Sequence, residues 1–250
     1  MTETEINSRP VYIVFGATGG IGEALSRRLA AGCCRLVLAA RNGDKLKRLA
    51  DDLQATSFPL DASSFDEVNS CVEKAMMLNG RLDGAANCVG SLLLKPAHLT
   101  TEAEWHQTVT TNLTTAFAVV RACSKAMATS GGSIVLVSSA AARIGLANHE
   151  AIAAAKAGVI GLTLSAAASY ASKGIRINCV APGLVRTPMT ERLTSNEATL
   201  KASTAMHALG RIGDPSDVAA AIEWFIRPEQ NWVTGQVLGI DGGLGSLRSR

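Results

Sequence analysis

The chain has 250 residues, of which 47% are hydrophobic and 18% are charged, so it can bury a sizeable core and a mainly disordered state is excluded. Its 24 Lys and Arg residues against 21 Asp and Glu residues leave a net charge of +3, too weak for bulk electrostatic binding of nucleic acid or an anionic membrane. Aromatic residues make up only 4%, which also disfavours a base-stacking platform. These values predict a soluble globular domain without a nucleic-acid or membrane partner.

The six cysteines form no CxxC pair and no Cys/His cluster with zinc spacing, so we expect no metal site. The first ten residues, MTETEINSRP, show no basic-then-apolar leader, and we therefore expect a cytoplasmic protein with reduced thiols. An apolar stretch at residues 151–171 contains Lys156 and consists mostly of Ala and Gly, which favours a packed helix over a membrane span.

Short apolar runs alternate with helix-length stretches along the chain. The strand-like runs are residues 11–15, 35–40, 56–60, 82–87, 133–138, 175–180 and 237–240, and the helix-length stretches are residues 20–31, 43–53, 65–78, 102–128, 150–170 and 215–227. Such alternation is typical of βαβ units around a parallel sheet that is buried on both faces. It predicts a flexible tail at residues 1–9 and one doubly wound α/β domain of Rossmann type at residues 10–250, with a mainly parallel sheet of about seven strands.

The first strand-like run leads directly into a glycine-rich turn, Gly16-Ala17-Thr18-Gly19-Gly20-Ile21-Gly22. Glycines let the backbone approach a pyrophosphate closely, and the following helix presents free N–H groups to it. A strand–turn–helix context is what dinucleotide binding requires. The candidate contacts in this turn are Gly16, Thr18, Gly20, Ile21 and Gly22.

The Gly-x-x-x-Gly-x-Gly spacing resembles that of the short-chain dehydrogenase/reductase family, especially its 3-oxoacyl-carrier-protein reductases. The likeness spans residues 10–243 and includes Asn87-Cys88-Val89-Gly90, the 132–139 run that ends in Ser139, and the 178–183 run. The resemblance implies a nicotinamide cofactor, a small carbonyl or alcohol substrate and a homotetramer. It further implies cofactor contacts from Asp61, Asn87, Gly90, Lys156, Pro182, Gly183 and Thr187.

The end of the second strand-like run bears on which nicotinamide cofactor is used. An acidic group there would accept hydrogen bonds from the ribose hydroxyls of NAD, and Ala40 occupies that position. Arg41 follows, with a guanidinium suited to a 2′-phosphate, unless it is merely a solvated charge at a strand end. We therefore expect NADP(H) to be preferred over NAD(H).

The resemblance implies catalytic roles for Asn112, Ser139 and Lys156, but one member of the family's catalytic set is missing. The family's proton donor is a tyrosine four residues before the lysine, and that position holds Ile152. An isoleucine can neither donate nor accept a proton. The chain's two tyrosines, Tyr12 in the first strand-like run and Tyr170 beyond Lys156, are too far away to replace it.

His149 is a candidate substitute for the missing proton donor. If the helix begins early enough, His149, Ile152 and Lys156 share one face at helical spacing. An imidazole exchanges protons near neutral pH. The alternative is that His149 is a surface or helix-cap residue.

Residues 188–209 follow a Pro-Gly turn, are rich in Thr, Ser, Met and Ala, and lack a strand signal. In a Rossmann-type domain such a helical excursion would lie over the cofactor crevice, and the alternative is a surface helix pair. Its apolar and hydroxyl-bearing side chains suggest a modestly apolar ligand.

Three functions fit this sequence, and fold alone does not choose among them. The first is an NADP(H)-dependent oxidoreductase that interconverts a carbonyl and an alcohol in an atypical active site. The second is a non-catalytic dinucleotide-binding protein that senses or scaffolds. The third is another chemistry on the same scaffold, such as elimination or isomerisation, for which no phenol is needed.

Overall fold

The structure is a computed structural model that describes residues 9–247, so residues 1–8 of the predicted tail and residues 248–250 lie outside it. Its sheet has seven parallel strands in the order β3-β2-β1-β4-β5-β6-β7. The strands are β1 Val11–Phe15, β2 Arg35–Ala40, β3 Thr56–Pro59, β4 Gly84–Asn87, β5 Gly132–Val137, β6 Ile175–Pro182 and β7 Val237–Ile240. This confirms the predicted single-domain Rossmann fold.

The α-helices connect the strands and cover both faces of the sheet. They are α1 Gly20–Ala30, α2 Gly43–Leu53, α3 Phe65–Asn79, α4 Glu102–Val109, α5 Thr115–Ala126, α6 Glu150–Tyr170, α7 Glu191–Thr194, α8 Glu197–Met206 and α9 Pro215–Ile226. Successive side chains of a strand point to opposite faces, so β1 sends Ile13 and Val14 into two different apolar layers. Helices α3, α5 and α6 complete one layer, and α1, α2 and α9 complete the other.

The stretch predicted as one helix at residues 102–128 is divided in the structure. Helix α4 ends at Val109, a π-helical turn follows at Thr110–Thr114, and α5 then begins. The apolar periodicity continues across this turn, which is why the sequence indicates a single helix. A π-turn widens the helix and often lies at a functional site. Here it contains the buried Asn112.

The apolar stretch around Lys156 forms α6 and the short turn that follows it. By length and composition alone, Glu150–Lys173 could cross a membrane, since an 18-residue window within it has a mean hydropathy of 1.6. A core helix of a soluble protein passes the same test. One face of α6, including Ala155 and Val159, is buried in the protein.

Candidate functional site

A cavity of about 780 Å³ lies beyond the carboxyl ends of β1, β4, β5 and β6. Strand order reverses between β1 and β4, because β2 and β3 extend the sheet to one side of β1 and β4 continues it on the other. In open parallel sheets, ligands bind in the crevice at such a switch point. The topology therefore puts the cavity where a dinucleotide would bind.

The glycine turn between β1 and α1 is packed too tightly for any side chain at two positions. Gly16 has a φ of +75°, and a Cβ there would lie 2.8 Å from the carbonyl carbon of Cys88. A Cβ at Gly22 would lie 2.2 Å from the carbonyl oxygen of Gly16. Gly20 lies against Thr187, since a Cβ added at Gly20 would lie 2.7 Å from the Thr187 Cγ2 atom. The turn thus leaves backbone exposed to the cavity at the start of α1.

Asn112 fixes the loop that follows β4. Its Oδ1 atom accepts a hydrogen bond of 3.1 Å from the Ser91 N–H, and its Nδ2 atom donates to the Ser91 hydroxyl and the Thr108 carbonyl, both at 2.9 Å. Asn87, at the end of β4, accepts from the Val89 N–H. These bonds hold Gly90 against Asn112 and Lys156 at the cavity wall.

Lys156 is the buried cation of the cavity. Its ammonium donates a 2.8 Å hydrogen bond to the Val137 carbonyl, and the Ser138 hydroxyl donates to the Lys156 carbonyl, also at 2.8 Å. Burial disfavours the charged form and lowers the pKa of Lys156 to about 8. Ser139 begins the turn after β5, and its hydroxyl accepts from the Ala141 N–H at 3.2 Å. Both predicted residues line the cavity.

His149 and Ile152 also line the cavity. Helix α6 begins at Glu150, so His149 is the residue directly before it, and Ile152 is buried in the first turn. The His149 Nδ1 atom lies 2.8 Å from the Ala147 carbonyl oxygen, which can only accept. Nδ1 therefore carries a proton, and Nε2 carries a second one only in the imidazolium form. Neither Tyr12 nor Tyr170 lines the cavity in the described chain.

Arg41 and Asp61 follow β2 and β3, outside the cavity lining. Hydrogen bonds from the Ser63 N–H and hydroxyl hold the pKa of Asp61 below its usual range, and the Arg41 charge contributes further. Sequence reasoning missed Lys45, which does line the cavity and donates a 2.7 Å hydrogen bond to the Thr18 carbonyl. In the sequence, only the position of Lys45 on the helix after β2 could have indicated that it lies near the cavity. Arg41 and Lys45 thus flank the glycine turn with positive charge.

The segment at residues 188–209 covers the cavity, which favours the first of the two placements considered for it. It forms a short turn at Pro188–Thr190, then α7 and α8. Its cavity-lining side chains are partly apolar, such as Met189 and Leu193, and partly polar, such as Ser203. Sequence reasoning also missed His207 at the end of α8, a buried histidine that contacts the loop after β6.

The residues around this cavity fit a dinucleotide. The glycines at positions 16 and 22 leave no room for a side chain, and the N–H groups in the first turn of α1 have no partner within the helix. Pro182, Gly183 and Thr187 line the cavity at and after the end of β6. Such a site could hold a pyrophosphate at α1 and the rest of the nucleotide along the strand ends. The described residues contain no metal-binding cluster of His, Cys, Asp and Glu.

Comparison with known proteins finds many relatives of this chain. Residues 16–245 match the family profile described as enoyl-(acyl carrier protein) reductase. The chain is 36% identical to the 3-oxoacyl-[acyl-carrier-protein] reductase FabG of Thermotoga maritima, over 94% of this chain and 97% of the relative. It is 32% identical to the (3R)-3-hydroxyacyl-CoA dehydrogenase of Canis lupus familiaris, over 93% and 95% of the two chains. A solved actinorhodin polyketide ketoreductase with NADPH superposes with a TM-score of 0.90 at 30% identity, covering 96% of this chain and 99% of that one.

Proposed function

Because the chain belongs to the short-chain dehydrogenase/reductase family of oxidoreductases, we propose that it interconverts a carbonyl and an alcohol with NADP(H), in an active site that lacks the family's tyrosine. The observation that carries this proposal is the shared cavity. Ser139, Lys156 and the glycine turn line one volume, and Ile152 faces the same volume four residues before the lysine.

In the proposed reaction, NADP(H) supplies or accepts the hydride. The protein has to orient the substrate carbonyl and deliver one proton to its oxygen during reduction. The Ser139 hydroxyl can donate a hydrogen bond to that oxygen, and the Lys156 ammonium adds positive charge nearby. Asn112 contributes by holding the loop at residues 89–91 against the cavity.

The proton must come from a group other than a phenol. His149 can supply it only as an imidazolium through Nε2, because its Nδ1 proton is bound to the Ala147 carbonyl. Water that enters the cavity is the other source. A positioned general acid typically contributes about 10²–10⁴ in rate, so we propose that the protein turns over slowly relative to tyrosine-containing relatives.

We also propose that NADP(H) is preferred over NAD(H). The support is the absence of an acid at Ala40 together with the two cations, Arg41 and Lys45, beside the glycine turn. A cation favours the ribose 2′-phosphate, whereas an acidic residue would repel it. The actinorhodin polyketide ketoreductase, which has the same fold, was solved with NADPH.

A non-catalytic dinucleotide-binding protein is the second candidate. It is favoured by the inert side chain of Ile152 and by the Lys156 ammonium, which is engaged with the Val137 carbonyl. In this alternative the cofactor site serves sensing or scaffolding, and the cavity binds a ligand without converting it.

A panel of ketones with NADPH, followed by the loss of cofactor absorbance, separates the two candidates. The oxidoreductase predicts slow, substrate-dependent absorbance loss with at least one apolar ketone. The product alcohol should be identified by mass spectrometry. Tight NADPH binding with no turnover on any substrate would instead support the non-catalytic protein.

We further propose a homotetramer. Phe117 on α5 and Leu164 on α6 are exposed on one side of the subunit, while Trp224 on α9 and Trp232 are exposed elsewhere. Exposed apolar side chains on two separate faces suit two symmetric contacts, which is what a tetramer with D2 symmetry requires. Light scattering at micromolar concentration should give about four times the 26.0 kDa chain mass. A particle of one chain mass contradicts the proposal.

A further inference from the structure

His207 is a buried side chain that no step of the proposed reaction uses. It follows the last residue of α8, and only 3% of its surface is exposed. Its Nδ1 atom lies 2.7 Å from the Ser203 carbonyl oxygen, one turn earlier in the same helix. Its Nε2 atom lies 3.2 Å from the backbone nitrogen of Leu184, in the loop after β6. One imidazole thus joins the segment over the cavity to the wall of the proposed cofactor site.

These two partners determine the protonation of the ring. A carbonyl oxygen only accepts and a backbone N–H only donates, so Nδ1 must carry the proton and Nε2 must present its lone pair. An imidazolium has protons on both nitrogens and cannot accept from the Leu184 N–H. Protonation would therefore break this bond and leave two donors facing each other.

The ring is also sterically fitted to the loop. A Cβ on Gly183 would lie 2.6 Å from Nε2, so the ring packs directly over the glycine backbone. His207, Gly183 and Leu184 all line the cavity, as does Thr187 a few residues further on. Any shift of the ring therefore moves the cavity wall.

Within residues 9–247, no charged side chain forms a hydrogen bond or an ion pair with this ring. Asp241 adjoins the loop, but its carboxylate accepts from the Gly243 and Gly245 N–H groups, both at 3.0 Å. Arg211, beyond α8, pairs with Asp217. The charged residues of α8 itself, Glu197 and Lys201, are exposed. In the part of the chain that the structure describes, the ring's hydrogen-bond partners are thus these two backbone groups.

We propose that His207 is a positioning residue that fastens the segment at residues 188–209 to the loop at residues 182–187. As the neutral Nδ1–H tautomer it holds the two segments together and so maintains the affinity of the site for NADP(H). This inference rests on the proposed function for its ligand. The fastening itself is a property of the protein without a ligand.

The test compares the wild type with His207→Gln and His207→Leu, with His98→Gln as the control at an exposed histidine. Glutamine offers one donor and one acceptor without titrating, whereas leucine offers neither. NADPH affinity at pH 8 should fall about tenfold in His207→Leu and stay near wild type in His207→Gln. His98→Gln should bind NADPH as tightly as the wild type does.

Hydrogen exchange without any ligand separates failure of this proposal from failure of the proposed function. At pH 8, His207→Leu should exchange faster than the wild type in residues 182–187 and 197–209, with β1 unchanged. Equal exchange in both proteins overturns the proposal, as does a loss of NADPH affinity in His207→Gln that is as large as the loss in His207→Leu. If no variant binds NADPH, the proposed function fails, and the exchange measurement still decides whether His207 fastens the two segments.

Discussion

Replacing Ile152 by tyrosine should raise the rate of ketone reduction by about 10²–10⁴, the contribution of a positioned general acid. Ile152 lies one turn before Lys156 on α6 and lines the same cavity as Ser139. A phenol at this position would stand beside the buried ammonium, which stabilises a phenolate and so eases proton transfer. Ile152 is buried at the cavity wall, so the added ring should cost no more than the 1–3 kcal/mol typical of overpacked cores. Steady-state kcat and KM for one ketone with NADPH measure the gain.

Two further variants identify what the tyrosine contributes. Ile152→Phe adds the ring without the hydroxyl, so it should leave kcat near the wild-type value. His149→Ala should abolish turnover in the wild-type background if His149 is the native donor, and Ile152→Tyr should then partly restore it. If Ile152→Tyr lowers kcat, the isoleucine itself shapes a site for other chemistry, and the proposal of an impaired reductase is wrong.

Removing the Arg41 side chain should weaken NADPH binding by about tenfold while leaving NADH binding nearly unchanged. A hydrogen bond to a charged group contributes about 1.5–3 kcal/mol, and the lower end of that range applies because Arg41 is exposed and solvent screens it. The change should appear in the ratio of the two Kd values, since NADH has no 2′-phosphate. Fluorescence titration of both cofactors measures it.

Arg48→Ala is the matched control, because it removes the same charge from exposed surface on nearby α2. It should leave the ratio of the two Kd values unchanged. Lys45→Ala tests the second cation of this region and should produce a smaller shift, and combining it with Arg41→Ala should enlarge the effect. An unaltered ratio in Arg41→Ala would show that its guanidinium is only a solvated charge at the end of β2.

The sequence by itself determined the fold and the position of the glycine turn. The alternating apolar runs predict the strands that are buried on both faces of the sheet. Glycine is needed at positions 16 and 22 because the turn allows no side chain there. These signals are local, since each depends on residues close together in the chain. The proposed loss of a catalytic tyrosine is also a local signal, because the family resemblance and the position of Ile152 four residues before Lys156 suffice to define it.

Only the tertiary structure decided how the site is closed. The Lys45 ammonium reaches the Thr18 carbonyl across 27 residues, and the His207 ring reaches the Leu184 N–H across 23. The π-turn that holds Asn112 against Ser91 was hidden because apolar periodicity continues through it. In each of these contacts a side chain bonds to a backbone group that is distant in sequence. The two groups are adjacent only because the helices pack on the sheet. Local periodicity records only which face of an element is buried, so it could not specify the partners that these side chains meet there.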